Sequence, residues 1–187
     1  MTYSHNRGIQ NSASPRFKAR IAGVFYLLTF VAGSLGLVMA NGRLAANLVA
    51  DVAYLGVTVL FYQLFKPVNN SVSLLAAFFS LLGIVSGALT AFQVSPININ
   101  PLGFFGFYCL LIGYLIFKST FLPRILGVLM ALGGLGWLTF FSPTLATSLY
   151  PYNLAPGIIG EGALTLWLLA FGVNEQRWNA LATEVMR

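Results

Sequence analysis

Long apolar runs separated by short polar breaks dominate the chain. They fall at Ile21–Ala40, Leu44–Phe65, Ser71–Gln93, Leu102–Phe117, Phe121–Phe141 and Leu154–Gly172. None alternates apolar with polar residues, and a spanning helix needs about 20 apolar residues where a barrel strand needs only about 9–11. Lipid admits only helices or closed barrels. The pattern therefore predicts an all-α fold, a polytopic helical membrane bundle with six transmembrane helices at about 21–40, 44–65, 71–93, 102–117, 121–141 and 154–172. At 1.5 Å per residue the fourth run covers only about 24 Å, so its helix is expected to continue into Lys118–Ser119 or to thin the bilayer locally. The first run is longer than the roughly 7–15-residue core of a signal peptide and is read as a span.

The polar breaks set the orientation. Arg7, Arg16, Lys18, Arg20, Lys66, Lys118, Arg124, Arg177 and Arg187 fall on one side of the predicted spans, and Arg43 alone on the other. The positive-inside rule then puts both termini in the cytoplasm of a multi-pass protein of the cell membrane. Residues 1–19 read as a disordered, basic cytoplasmic tail and 175–187 as a cytoplasmic C-terminal tail, because neither holds enough apolar surface to offset ordering entropy. The outer connections Val94–Pro101 and Ser142–Tyr150 carry no charge and read as short turns. Trp137, Phe140, Phe141, Tyr150 and Tyr152 at one border, and Tyr62, Phe65, Phe117, Phe121 and Trp178 at the other, read as interfacial anchors.

Composition narrows the function classes. Of 187 residues 58% are hydrophobic and 7% charged, with a mean hydropathy of +0.82, against roughly 25% charged residues in a soluble domain. No Lys, Arg, Asp, Glu or His occurs between Lys66 and Lys118, or between Arg124 and Glu161. The net charge of +6 is spread over span ends and forms no aromatic-interleaved patch, so it indicates membrane topology and no nucleic-acid partner. One cysteine, Cys109, and one histidine, His5 in the tail, leave no metal site and no Ser/His/Asp set. The Gly-Glu-Gly stretch at Gly160–Gly162 lacks the Lys and Ser/Thr of a phosphate loop. No cofactor is expected, and the chain is not expected to be an enzyme; one that uses its two intramembrane acids, Asp51 and Glu161, as general acid and base is the third-ranked reading.

Small residues recur at helix-packing spacing: Gly83, Gly87 and Ala91; Gly127, Ala131 and Gly134; Ala32, Gly33 and Gly36. Such seams let backbones approach closely where no hydrophobic effect drives helices together. The partner across each seam is either another helix of the chain, a second copy, or another membrane protein.

Two acids lie inside spans, Asp51 and Glu161. A charged carboxyl at mid-span costs about 2.5–3.5 kcal/mol on insertion scales, so intramembrane acids face protein or trapped water; either they form an ion, proton or solute site, or they hydrogen-bond to backbone or to Asn47 and Tyr54 and lock the bundle. Each acid lies seven residues into its run, about 10.5 Å, on spans that run in the same direction, which places both at one depth. Arg43, Asn47 and Asp51 recur at i, i+4 and i+8 with Tyr54 three residues on, a polar stripe along one helix face. Arg43, Asn47, Asp51, Tyr54 and Glu161 form the candidate intramembrane polar site.

Four stretches occur together in order: Ala19-Arg20-Ile21-Ala22-Gly23 through Tyr26-Leu27-Leu28; Lys66-Pro67-Val68-Asn69; Leu122-Pro123-Arg124-Ile125-Leu126-Gly127-Val128; and Ile159-Gly160-Glu161 with Leu166-Trp167-Leu168-Leu169 and Gly172-Val173-Asn174. With them the chain resembles, from about Ala19 to Asn174, the bacterial integral membrane proteins grouped as domain of unknown function 4386. The resemblance implies an acid near Asp51 and another at Glu161, and it implies no substrate, cofactor or catalytic residue. Where relatives often carry a basic residue early in the third span, this chain reads Ala77-Phe78-Phe79-Ser80. The functional expectation is a small transporter or channel-like protein. A proton, a cation or a small polar solute would pass Arg43 and Asn47 to reach Asp51 and Glu161. The alternative is a non-catalytic membrane-protein partner or lipid-binding subunit that docks through its Gly/Ala seams.

Overall fold

The computed structural model describes residues 13–38, 42–94 and 100–185; the readings of residues 1–12 and of most of the Val94–Pro101 connection lie outside them. The helices are α1 (Pro15–Val38), α2 (Arg43–Phe65), α3 (Asn70–Ala91), α4 (Pro101–Lys118), α5 (Arg124–Leu138), α6 (Pro143–Leu149), α7 (Leu154–Ala170) and α8 (Glu175–Val185). The described residues contain no strand. Five helices are long and apolar enough to cross a membrane, α5 reaching that length with the 3-10 turn Thr139–Phe141, and α6 with α7 makes a sixth candidate bent by 82°.

Helix ends follow local chemistry. Asn69 and Asn100 accept from the backbone N–H of Val72 and Leu102, both at 3.0 Å, and so start α3 and α4. α4 continues to Lys118 as its short run required, and Ser119 closes it. α5 starts at Arg124 and not at Phe121, because Pro123 serves as its N-cap and Phe121 and Leu122 turn into the core. α7 ends at Gly172, whose φ of 66° and N–H bonds to the Trp167 and Leu168 carbonyls make a left-handed stop.

The six long helices form a closed ring. Each packs on its sequence neighbour from α1 through α5, α7 packs on α5, and α7 closes on α1. Glycines set the α4–α5 seam: a Cβ on Gly113 would lie 2.7 Å from the Gly127 carbonyl oxygen, and one on Gly134 2.7 Å from that of Gly106. The predicted small-residue faces of the third and fifth spans, and Gly36 of the first, are thus used inside the chain, whereas Gly33 has open space around it. Gly36 receives Asn47, Gly83 receives the Phe105 ring, and Gly127 and Gly134 receive α4. Tyr26, Phe61, Tyr108, Ile112, Met130 and Leu164 fill the middle of the ring.

Several expectations change. Pro15–Ala19, read as tail, is the first turn of α1, because Ser14 accepts from the Phe17 N–H and Arg16 and Arg20 lie against the end of α7. Ser142–Tyr150 is not a plain turn: Ser142 accepts from Leu145 N–H at 3.4 Å and starts α6, with Pro143 in the first turn. The C-terminal tail forms α8, started by Asn174 and fixed by Trp178 Nε1–H donating to the Leu64 carbonyl at 2.8 Å. Phe65, Phe121 and Trp137 are buried in the bundle and are not lipid-facing anchors, whereas Tyr150 and Tyr152 are exposed.

One end of the ring collects the base-rich positions. Arg20 donates to the Ala170 carbonyl and Arg177 to that of Thr120, which joins the start of α1 and α8 to the ends of α7 and α4. Arg16, Lys18, Lys66, Lys118 and Arg124 belong to helix termini at this same end, and Arg43 starts α2 at the other.

Candidate functional site

Glu161 is 7% exposed at the centre of the ring. Gly157 and Gly160 bring it there, since any side chain on either would collide with the Trp137 indole or the Leu129 carbonyl of α5. With α5 this close, Trp137 Nε1–H donates to Glu161 Oε1 at 2.6 Å. The Cys109 thiol of α4 donates to the same oxygen at 3.5 Å. The Tyr26 hydroxyl of α1 also faces the carboxylate. It lies 3.3 Å from the Tyr54 hydroxyl of α2, and the Tyr54 ring stands edge-on to Tyr108 with centroids 5.7 Å apart. The Tyr108 hydroxyl is buried and has no hydrogen-bond partner. Five helices of the ring thus each send a polar side chain to one centre.

The sixth, α3, contributes at the next level. Thr58 donates to the Tyr54 carbonyl at 2.9 Å, so Ser80 of α3 donates to Thr58 across 2.6 Å. Every described Lys and Arg sits at a helix terminus, and no three of His, Cys, Asp and Glu converge among the described residues. The side chains that meet Glu161 are therefore neutral. A carboxyl held out of water among neutral groups keeps its charge only at large cost.

The remaining predicted site residues separate. Tyr54 joins the Glu161 centre. Asp51 is half-buried against α3, where Gly87 leaves room for its carboxylate, and Asp51 Oδ2 is buried with no hydrogen-bond partner. Asn47 turns to Gly36 on α1, and Arg43 is exposed. Asp51 and Glu161 are not direct neighbours: α2 packs on α1 and α3, while α7 packs on α1 and α5. Tyr26 and Tyr54 belong to α1 and α2, the helices between Glu161 and Asp51. Asp51 lies three residues, about 4.5 Å of helix rise, nearer the Arg43 end than Tyr54.

A cavity of about 540 Å³ opens at the Arg43 end, lined by Asn100, Phe140, Phe141, Pro143, Ala146, Thr147 and Tyr150. α6 forms one wall. It is tied down by Asn153, whose Nδ2–H donates to Thr139 Oγ1 at 3.0 Å and to the Ala146 carbonyl at 3.4 Å. Phe140 on its floor contacts the Trp137 ring, with centroids 6.1 Å apart. The cavity lining thus reaches, through Phe140, the indole that donates to Glu161.

The fold and the site define a class, an all-helical membrane-type bundle with a buried carboxylate at its centre. Residues 89–172, from the last turn of α3 through α7, match the family model described as domain of unknown function (DUF4386); the Leu122–Val128 motif and Ile159–Gly172 lie inside this match, and the Ala19–Leu28 and Lys66–Asn69 motifs lie outside it. The matched stretch contains Cys109, Trp137 and Glu161. An "Uncharacterized protein" of Archaeoglobus fulgidus is similar to this chain, 28% identical over 123 residues that cover 62% of this chain and 75% of the relative. No solved structure matches.

Sequence reasoning missed Trp137, Cys109, Tyr26 and Tyr108. Trp137 carried the one available signal: it lies in a run whose small residues Gly133, Gly134 and Gly136 surround it, a composition for packing helices and not for meeting lipid.

Proposed function

We propose that the protein is a small transporter of the cell membrane, with both termini cytoplasmic, that takes up a proton or a small cation at Glu161. The observation that carries this reading is the 2.6 Å contact of Trp137 with a carboxylate that no basic side chain faces, joined through Phe140 to an open cavity. The route runs from that cavity past Phe140 and Trp137 to Glu161, in place of the expected entry past Arg43 and Asn47. Tyr26 and Tyr54 extend it as a hydroxyl chain towards Asp51, the second carboxylate of the path. The clustering of basic residues at the opposite end supports the orientation, with the cavity outside. In this reading the carboxyls serve as binding groups for the transported proton or cation.

Reconstituted vesicles test this directly. Proton or monovalent-cation flux in the parent should depend on pH; Glu161→Gln should bring it to the level of empty vesicles, and Asp51→Asn should lower it. Equal, pH-dependent flux in the parent and Glu161→Gln contradicts the reading.

A second reading, a lipid-binding subunit, is favoured by one separate feature, an apolar groove on the outer surface between α4 and α5.

A further inference from the structure

The α4–α5 groove has about 300 Å³ of space over the Gly113–Gly127 contact, with walls that include Tyr114, Phe117, Val128 and Leu132. Its floor is flat because the glycines bring the two backbones together, and its walls are exposed side chains. The lining runs from Leu110 to Phe117 on α4 and from Val128 to Leu135 on α5. Seven residues of helix rise is about 10.5 Å, which fits within one leaflet of a hydrocarbon core about 30 Å thick. The groove ends where α4 stops and α5 starts, at the basic end of the ring.

Charge distinguishes that end. Lys118 Nζ lies 5.9 Å from the centroid of Tyr114, and the Arg124 guanidinium lies 5.6 Å from that of Phe117. Both rings are groove walls, so both cations stand at its mouth. Both side chains are exposed. Of the described acids, Asp51 lies towards the other end, Glu161 in the core, and Glu175 and Glu184 on α8, which Arg177 joins to this end. The N-cap of α5, Pro123, makes no side-chain cap bond, so first-turn N–H groups of that helix face the same level.

We propose that this groove is a binding site for one anionic phospholipid, with an acyl chain along the α4–α5 seam and the phosphate between Lys118 and Arg124. An apolar channel that fits within one leaflet and opens between two cations matches the two parts of such a lipid, and a neutral transmembrane helix would leave the cations unanswered. The site is independent of the transport reading, since it lies on the lipid side of α4 and α5 and shares no residue with the Glu161 centre.

Native mass spectrometry of the protein released from nanodiscs of equal phosphatidylglycerol and phosphatidylcholine tests it. The parent should retain one phosphatidylglycerol in preference to phosphatidylcholine. Lys118→Gln with Arg124→Gln should reduce that preference roughly tenfold to 30-fold, as expected for two interfacial charges worth about 1 kcal/mol each. Leu132→Trp fills the groove and keeps both cations, and it should lower retention of either lipid. Circular dichroism and thermal melting should show both variants folded. Equal retention of the two lipids by the parent overturns the proposal. So does full retention in Leu132→Trp, which would leave only surface attraction, or a parent released as a dimer that Leu132→Trp dissociates, which would make a second copy the occupant.

Discussion

At the residue scale the Trp137–Glu161 bond is the interaction with most at stake. Its acceptor is buried, so removing the donor leaves the carboxylate short of a partner, a loss of about 1–3 kcal/mol. Trp137→Phe keeps an aromatic ring next to Phe140, loses the indole N–H and part of the ring volume, and should lower the thermal midpoint in detergent. Glu161→Gln keeps an acceptor for the indole and should melt close to the parent; a larger loss in Glu161→Gln than in Trp137→Phe would contradict the assignment of the bond. Glu161 was legible in the sequence because an acid in an apolar run is expensive. Its neighbours were not, because an aromatic residue inside a span has the same sequence signature whether it faces lipid or a carboxylate. The stripe from Arg43 to Tyr54 was legible as one helix face, but that face is wide enough for Asn47 to meet α1 and Asp51 to meet α3.

At the element scale the glycine seams can be weighed one against another. Gly134→Ala places a Cβ against the Gly106 carbonyl and the Leu110 side chain, so overpacking should cost about 1–3 kcal/mol. Gly33 on α1 has open space around it, and Gly33→Ala should be neutral or gain up to about 1 kcal/mol of helix propensity. Thermal melting of the two variants in the same detergent checks both signs. Spans and seams were legible because span length and small-residue spacing are local properties of the chain. α6 was not, since a seven-residue helix has too few positions to show a period. α8 did leave a signal, Trp178 and Leu181 at i and i+3, but its charged residues read as a solvated tail.

The docking of α8 also carries a pH dependence. Glu175 accepts from the Arg16 N–H at 3.4 Å, and the Ser14 bond first, then Arg16, hold its carboxyl below the usual glutamate range. A lowered pKa means that the contact contributes at neutral pH and is lost as pH falls below the ordinary value of about 4.3. Hydrogen-exchange protection factors of α8 should drop on acidification in the parent and stay level in Glu175→Gln. The same drop in both would remove Glu175 from the account.

At the scale of the whole molecule, a ring of six helices with one basic end makes orientation a single yes-or-no property. Cysteines placed at Asn69 and at Tyr152, both exposed and at opposite ends, should label from the cytoplasmic and the outer side respectively. The ring order itself followed from short connections between sequential helices, whereas the closure of α7 on α1 and the convergence of five helices on one carboxylate are long-range facts that no local pattern encodes. That convergence is the central claim, and Trp137 can report on it as the only described tryptophan bonded to Glu161. The measurement is tryptophan emission of the reconstituted protein across a pH series and on addition of monovalent cation. The account predicts a titration in the parent that is absent from both Glu161→Gln and Trp137→Phe. An unchanged titration in Glu161→Gln, or no response in the parent under any condition, would contradict it.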